Sequence, residues 1–600
     1  MSGVVHGQNQ ASTPDDSSEQ CRIFPMNQAE DFRYALECQV RAEARHGWEN
    51  ARKRWQKPLP ERVLANRAIG WLRIATVETV HNRLVVHFHP SAEDMALFHE
   101  GDRVRMSLND PDGPDFIAAM FLGLTEKGLS VTAPLEADVR TRDGWSLDEE
   151  MIDLSDFYLR ALDDLATTGH GREVVLPALL DGVGDVTDLN AHGEFSDALE
   201  DSGMDDSQVD AVAMCLAAER FHLVQGPPGT GKTHALARLV RELVGQGQRV
   251  LLTAFTHRAI HHALRKVGSM VDCPVFKVSD PFPHDSGGIE FRDRFADTGL
   301  LDHGGPYVIG ATPFALFSGR ASEACFDVAV IDETSQMRVE AAIMPMLRAQ
   351  RWFFFGDRQQ LPPVVQRPVA DAAEDSVFAR LARHGGHTML RTTYRMNEPL
   401  TRWPSENFYQ GELVAARHIA GHRFTLKSPP RRPWLLGPEP AMVRVEIEHE
   451  GNRVSAPEEA DEVAAVIEEM LEGGLTPGEI GVVVPFRAQA ARVRGLLRFE
   501  RFAKWPEIGQ LTVDTVERFQ GQERESMIVS FVVSDDGFMD RLGAFLTYPQ
   551  RLNVAVTRAR TKVVLIHSRR FRQWLENNAA FNEHAAVALS LLDAAGNVNC

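Results

Sequence analysis

Residues 226 to 233 read Gly-Pro-Pro-Gly-Thr-Gly-Lys-Thr, which fits the pattern G-x-x-x-x-G-K-[ST]. No other stretch restricts the fold as strongly, because this pattern works only with a strand before it and a helix after it. Phe221-His222-Leu223-Val224-Gln225 has the look of a short buried strand, and Thr233 onward, through His234, Ala235, Leu236 and Leu239, of a helix. In that setting backbone N–H groups and the positive end of the helix dipole point at a polyphosphate. Gly226, Gly229 and Gly231 leave no Cβ between backbone and ligand. Pro227, Pro228 and Thr230 complete the loop, Lys232 can reach the β and γ phosphates, and Thr233 can place its hydroxyl on Mg²⁺.

At 600 residues and 44% hydrophobic content the chain can bury several cores, and about three to five domains are expected. No apolar run approaches the roughly 20 residues of a membrane helix. Met1 to Gln20 is rich in Ser, Asp and Gln with no hydrophobic signal core, so the expected setting is soluble and cytoplasmic, with no membrane partner. The six cysteines contain no C-x-x-C pair, which argues against a zinc site or a disulfide framework. A net charge of −20 argues against coating nucleic acid with a basic surface, but leaves room for a narrow basic channel. Two acidic blocks, 194 to 206 and 458 to 472, read as solvated faces.

Residues 1 to 25 lack periodicity and are expected to be disordered. Asn27 to Lys57 reads as a long helix with Phe32, Leu36 and Val40 four apart. From Trp71 to about Pro134 come short alternating runs with turns between them, Glu126-Lys127-Gly128 among these, which suggest a small β-barrel. A second helix is expected over Leu147 to Ala166, so that the barrel would sit on a helical stalk within residues 26 to 174. Thereafter apolar strands alternate with helices: 250 to 255, 307 to 310, 328 to 331, 352 to 355, 480 to 485, 527 to 533 and 562 to 566. These are too many for one ordinary sheet, so two α/β domains are expected, over 175 to 388 and 389 to 600.

Asp332 and Glu333 follow the strand Val328-Ala329-Val330-Ile331, where a strand's C-terminal end delivers side chains to a nucleotide crevice. The first carboxylate can hold Mg²⁺ and the second can orient or deprotonate an attacking water. A further strand, Trp352 to Phe355, leads into Gly356-Asp357-Arg358-Gln359-Gln360-Leu361-Pro362-Pro363, where Gln360 can sense a γ-phosphate. His257, His261 and His262 share helical spacing but have no metalloprotease glutamate between them, which disfavours zinc. Phe353-Phe354-Phe355 could stack on bases, but its position favours a buried strand.

The order Gln208, GPPGTGKT, Thr253 to Ala259, Asp332-Glu333-Thr334-Ser335-Gln336 and GDRQQLPP resembles superfamily 1 helicases. So do Tyr394-Arg395, Val484 to Gln489, Thr515 to Glu523 and Arg551 to Arg560. The stalk and barrel before the phosphate loop are similar to the superfamily 1B branch, which includes the nonsense-mediated-decay helicase, senataxin and the immunoglobulin mu-binding helicase. The resemblance spans about residues 205 to 570. It implies an α/β fold of two RecA-like P-loop domains, parallel sheets flanked by helices, after the stalk and barrel. ATP and Mg²⁺ would bind between them, with hydrolysis driving 5′ to 3′ movement along single-stranded DNA or RNA.

Carried over residue by residue, Gln208 would recognise adenine and Tyr394 would stack on it. Arg395 and Arg558 would reach the γ-phosphate from the second domain, with Gly521 and Glu523 lining the same cleft. The catalytic set would be Glu333, Gln360, Arg395 and Arg558, with Thr233 and Asp332 on the metal. Thr256, His257, Thr312, Pro485 and Thr515 would line the strand path. Gln550 stands where the family usually has a further arginine, and Glu517 replaces a common aspartate. A monomeric core that a protein loading partner can join is the expected assembly. An ATP-switched clamp or remodelling scaffold with little unwinding is the alternative, disfavoured by the complete hydrolytic set.

Overall fold

The structure is a computed structural model that describes residues 28–65, 67–80, 83–89, 98, 101–125, 127–139, 143–279, 288–365, 376–519 and 521–597. The N-terminal stretch expected to be disordered lies outside them, as does Glu126 of the expected hairpin turn. The long helix forms over Gln28–Trp55, with Phe32, Leu36 and Val40 buried. They join one hydrophobic cluster with Tyr158 and Leu162 of the helix Ser155–Thr167 and with Phe221 and Phe354 of a parallel sheet. A four-residue spacing keeps these side chains on one face, so the N-terminal half of the helix is anchored to the layer that carries the phosphate loop.

Between the two helices lies a seven-stranded antiparallel sheet built from Ala68–Leu72, Ile74–Val80, Arg83–Phe88, Arg103–Ser107, Ile117–Thr125, Gly128–Pro134 and Trp145–Glu149. In sequence numbers its spatial order is first, seventh, fourth, fifth, sixth, third, second. Among the described residues the first and second strands are its two ends and do not pair, so the sheet is not shown to close into the expected barrel. It also runs past the expected limits of 71 to 134. Residues 147 to 149, expected as the start of a helix, are strand. Trp145 and Leu147 enter the sheet's core and Asp148 pairs with the buried Arg62, so pairing on both sides overrides the local charge pattern.

The first parallel sheet has eight strands, in the order Glu290–Arg292, Val275–Val278, Tyr307–Gly310, Arg249–Ala254, Phe326–Asp332, Ala349–Gly356, Phe221–Gln225, Thr388–Met389. Its side chains alternate between two cores: Phe221, Leu223, Ile331, Trp352 and Phe354 face the stalk side, and Val224, Val250, Val330, Phe353 and Phe355 face the other. The three consecutive phenylalanines are therefore packed strand, covered on both faces as a central parallel strand must be. The second parallel sheet runs Thr512–Thr515, Ile480–Val484, Arg524–Ser530, Ala559–Ser568, Met442–Ile447, Gly596–Asn597. Val275–Val278, Met442–Ile447 and Thr512–Thr515 were not among the strands expected from apolar runs. Each is short or carries polar residues that tertiary pairing accommodates.

One acidic block is also less solvated than expected. Within 458 to 472, Glu459 is fully buried and accepts from Ser530 Oγ at 2.6 Å and Val532 N at 2.9 Å. Glu469 accepts from the backbone and Nε of Arg432. Buried carboxylates persist because these donors replace water.

Phe354 is fully buried, two residues before the loop that follows its strand. Phe354→Ala should destabilise the chain by about 3–5 kcal/mol, through lost transfer energy and the cavity left behind. Denaturant unfolding would show the loss as a lower midpoint at unchanged slope; an unchanged midpoint would contradict this packing.

Candidate nucleotide site

The register of the first sheet brings its chemistry to one edge. Gly356 pairs with Gln225 and Asp332 with Ala254, so the phosphate loop, the two carboxylates and the Gln360 loop all leave from neighbouring strand ends. Gly226 N donates to Gly356 O at 2.8 Å, and Thr230 Oγ1 donates to Pro227 O at 2.8 Å. Gly229 and Gly231 have φ of 75° and 74°. A Cβ on Gly231 would lie 2.5 Å from Gln208 Nε2, and one on Gly229 would lie 2.5 Å from Arg395 Cβ. Any side chain at either position would meet both left-handed backbone strain and a close neighbour.

Lys232 begins the helix Lys232–Gly245. Its Nζ lies 3.1 Å from Asp332 Oδ1 and 2.8 Å from Glu333 Oε1. Burial opposes its charge, but the two carboxylates outweigh burial and hold the ammonium above its ordinary value. Burial raises the Asp332 carboxyl against the pull of Lys232. For Glu333 burial acts the same way, but Lys232, Arg558 and Gln336 together hold it below its ordinary value. Glu333 has φ of 54°, a conformation that costs a non-glycine residue on the order of 1–3 kcal/mol. Its neighbours hold it there: Glu333 N donates to Asp332 Oδ1 at 2.8 Å, and Thr334 N and Oγ1 both donate to Phe355 O.

The second sheet reaches the same cleft. Arg558 is buried and donates to Gln360 Oε1 at 3.2 Å, and its Nε has no hydrogen-bond partner among the described residues. Burial, then repulsion from Arg395, pushes its guanidinium below the ordinary value. Arg395 Nε donates to Glu523 Oε2 at 3.0 Å and Nη1 to Thr557 O at 3.0 Å. Gly521 sits at φ 73° in the adjoining turn. Gln208 closes the other side: its helix is capped by Asp205, and Gln208 Nε2 donates to Thr230 O at 2.9 Å. Tyr394 OH donates to Asp205 Oδ2 at 2.8 Å, and Tyr394 N to Gly229 O at 2.7 Å. Thr233, one residue into the helix, is half-buried beside Lys232.

Several positioning groups carried no assigned role in the sequence. Asp357 accepts from Gln225 Nε2, Gln360 Nε2 and Tyr409 OH, the last at 2.7 Å. Asn553 Nδ2 donates to Tyr409 OH and to Gln359 O. Asp357 and Asn553 lie inside quoted motifs, so position alone could have flagged them. Tyr409 and Thr393, whose Oγ1 donates to Pro228 O at 2.9 Å, had no such signal.

The residues expected along a strand path lie at strand ends of both sheets. Thr256 and Thr312 follow the paired strands Arg249–Ala254 and Tyr307–Gly310, and each caps a helix by accepting from Ala259 N or Ala315 N. Capping uses an acceptor lone pair and leaves each hydroxyl hydrogen available. His257 is exposed at the first position of its helix. Pro485 and Thr515 lie at the ends of Ile480–Val484 and Thr512–Thr515, where Val484 pairs with Thr515.

A glycine loop between parallel strand and helix, a lysine on it and two carboxylates at the next strand end define a P-loop NTPase site. Two family profiles, each described as AAA domain, match residues 203–279 with 308–368 and residues 373–570, together more than half the chain. The DNA replication ATP-dependent helicase/nuclease dna2 of Schizosaccharomyces pombe is 27% identical over 396 residues, 61% of this chain and 28% of that relative. Its Homo sapiens counterpart is 29% identical over 406 residues, 61% of this chain and 37% of that relative. The DNA-binding protein SMUBP-2 of Rattus norvegicus is 28% identical over 441 residues, 60% of this chain and 42% of that relative. A solved arterivirus nonstructural protein 10 helicase aligns with TM-score 0.38 and 13% identity over 88% of this chain and 82% of that chain. The chain belongs to the superfamily 1B helicases, in the branch that contains these relatives. It spans less than half the length of each curated relative named here.

Arg558 is held in a buried cleft facing another arginine, an arrangement that favours an anion more than it favours the resting fold. Arg558→Met should therefore leave the melting temperature of the nucleotide-free chain unchanged or higher, since a buried, partly unsatisfied charge is replaced by an apolar group of similar length. A fall of several degrees would show instead that the bonds to Gln360 and Gln522 stabilise the fold.

Proposed function

We propose that the chain is an ATP-dependent helicase or translocase that moves 5′ to 3′ on single-stranded nucleic acid. It would hydrolyse Mg-ATP between two RecA-like domains, residues 175–388 and 389–600, with the stalk and antiparallel sheet of 26–174 as an accessory unit. The observation that carries this reading is the meeting of Lys232, Glu333 and Gln360 from one sheet with Arg395 and Arg558 from the other in one buried cleft. A nucleotide placed there would sense both sheets at once.

Asp332 and the Thr233 hydroxyl are hard oxygen donors of the kind Mg²⁺ prefers, so this pair would hold the ion. Bound Mg²⁺ would neutralise charge on the β and γ phosphates. Lys232 would exchange its carboxylate partners for phosphate oxygens. Glu333 then loses the contact that holds its carboxylate down, becomes a stronger base and orients the attacking water with Gln360. Arg395 and Arg558 meet the charge developing on the transferring group, so closure of the second sheet is part of the chemistry. Gln208 and Tyr394 would hold adenine. Thr256, His257, Thr312, Pro485 and Thr515 would carry the strand across both sheets. The relatives, two of them named helicase/nucleases and one a DNA-binding protein, support a nucleic-acid substrate.

ATPase activity titrated with single-stranded DNA and RNA of equal length tests the reading, and stimulation by at least one is expected. Lys232→Ala should lose hydrolysis, whereas Glu333→Gln should still bind Mg-ATP and turn over very slowly. Wild-type turnover in Glu333→Gln with polynucleotide present would remove Glu333 from its water-orienting role.

An arginine supplied across such a cleft contributes about 10³ to 10⁵ in rate in related phosphoryl transfers. Arg395→Ala and Arg558→Ala should each lower kcat far more than nucleotide affinity. Because both serve one closed state, the double variant should cost much less than the sum of the two singles in free energy. Additive losses, each under about 1 kcal/mol, would instead remove the two arginines from a shared closed state.

A further inference from the structure

Both side chains proposed to hold adenine are tied to one residue. Asp205 caps the helix Asp206–Ala217: its Oδ1 accepts from Ser207 N at 2.9 Å and Gln208 N at 3.1 Å, while its Oδ2 accepts from Tyr394 OH at 2.8 Å. Its backbone N donates to Gln208 Oε1 at 3.3 Å, and the other end of that amide donates to Thr230 O of the phosphate loop. One carboxylate therefore divides its oxygens between the start of the glutamine's helix and the tyrosine's hydroxyl. A helix cap uses a single acceptor oxygen, so the second oxygen serves another purpose.

Tyr394 is bound at both its ends to elements of the first sheet. Its backbone N donates to Gly229 O at 2.7 Å, and the residues before it are fixed in the same way: Thr393 Oγ1 donates to Pro228 O at 2.9 Å and Arg391 N to Ser207 Oγ at 3.0 Å. The attachment changes at the next residues. Arg395 reaches Glu523 and Thr557 O, and Asn397 N donates to Arg560 O at 3.0 Å, all groups at the second sheet. Tyr394 stays 40% exposed although its hydroxyl is bonded. Burial, then the bond to Asp205, holds the phenol above its ordinary value, so it remains a donor. A ring pinned by its polar tip with its apolar body partly open is suited to stacking.

We infer that Asp205 is a positioning residue for the base of the bound nucleotide, its second carboxylate oxygen holding the Tyr394 ring beside Gln208 from within the first sheet's side of the cleft. The inference deepens the function proposed above and rests on it. It assigns Tyr394, which follows the proposed boundary at residue 388, to the part that carries the phosphate loop. The base is then gripped before the second sheet closes, and closure is left to Arg395 and Arg558. A side chain already held by its hydroxyl loses little freedom when a base stacks on it, so the bond adds affinity without touching the base.

The test uses the full chain and a fluorescent ADP labelled on its ribose, with Mg²⁺ and without nucleic acid. Displacement by ADP is compared with displacement by inorganic pyrophosphate, which offers phosphates and no base. Asp205→Ser keeps a capping oxygen but is too short to reach the tyrosine, and Tyr394→Phe keeps the ring but loses the hydroxyl. Each should weaken ADP by about three- to tenfold, the range expected for a side chain that must be immobilised on binding. Pyrophosphate affinity, melting temperature and kcat at saturating ATP and single strand should stay at wild-type values. Because both variants break one bond, the double variant should be no weaker than the weaker single. Wild-type ADP affinity in both singles would overturn the role of Asp205. So would equal weakening of ADP and pyrophosphate, which would mark a residue that only shapes the phosphate loop, or a fall in kcat at unchanged ADP affinity, which would place it in closure. A wild-type chain that binds neither ADP nor ATP would overturn the proposed function itself.

Discussion

The contact between Lys232 and the Asp332–Glu333 pair decides how the rest of the cleft must be built. Two adjacent carboxylates and one ammonium, of which Asp332 is buried and Glu333 keeps part of its side chain in water, leave a surplus negative charge that is costly in a low-dielectric setting. The fold answers with groups from elsewhere: Gln336 on Glu333, the backbone of Glu333 on Asp332, and Arg558 from the second sheet. The parallel register is a precondition, because it brings the lysine and the carboxylates out at neighbouring strand ends. The left-handed backbone at Glu333 turns its carboxylate back toward Lys232 at the expense of local strain, and the Thr334 bonds to Phe355 O fix that turn to the next strand.

That arrangement also explains why the second sheet carries more positive charge into the cleft than its own carboxylates neutralise. Glu523 takes up Arg395 and Arg560, but among the described residues Arg558 hydrogen-bonds to a side-chain amide and a carbonyl. Arg558 and Arg395 repel each other, so on electrostatic grounds alone the cleft favours the presence of a polyanion between the sheets. Stability is given up where an anion is to be bound, as is common at functional sites. The Asp357, Tyr409 and Asn553 network holds Gln360 between the two sheets, so a shift of one sheet is felt at the glutamine.

Much of this was legible in the chain because the groups concerned lie in short contiguous runs whose chemistry demands a strand end or a helix start. GPPGTGKT, Asp332-Glu333 and the three phenylalanines are of that kind, and strand, loop and helix form where those runs require them. Tyr409 was not legible: its role depends on Asp357 and Asn553, 52 and 144 residues away, and nothing in its local sequence marks it. Residues 147 to 149, expected to open a helix, are strand instead, and the partner that makes a buried Asp148 tolerable there, Arg62, lies 86 residues away. Glu459 and Glu469 show the same limit. A charge run looks solvated until the groups that donate to it, here Ser530, Val532 and Arg432, are brought up by the fold.

The chain's acidity and its proposed substrate are reconciled by where the positive charge sits. A net charge of −20 gives a field that repels a polyanion over most of the surface, and that repulsion confines productive contact to places where donors converge. On the proposed reading, those places are the strand ends of the two parallel sheets. The groups found there are hydroxyls, a proline ring and helix starts, all able to hold a phosphate or pack on a sugar. Moving along a strand of arbitrary sequence requires that every step present the same interaction energy, and only the backbone repeats identically. An acidic body with a narrow line of backbone donors therefore meets the physical requirement of translocation better than a broadly basic surface would, because a broad surface would hold the strand equally well in positions from which the two sheets could not move it.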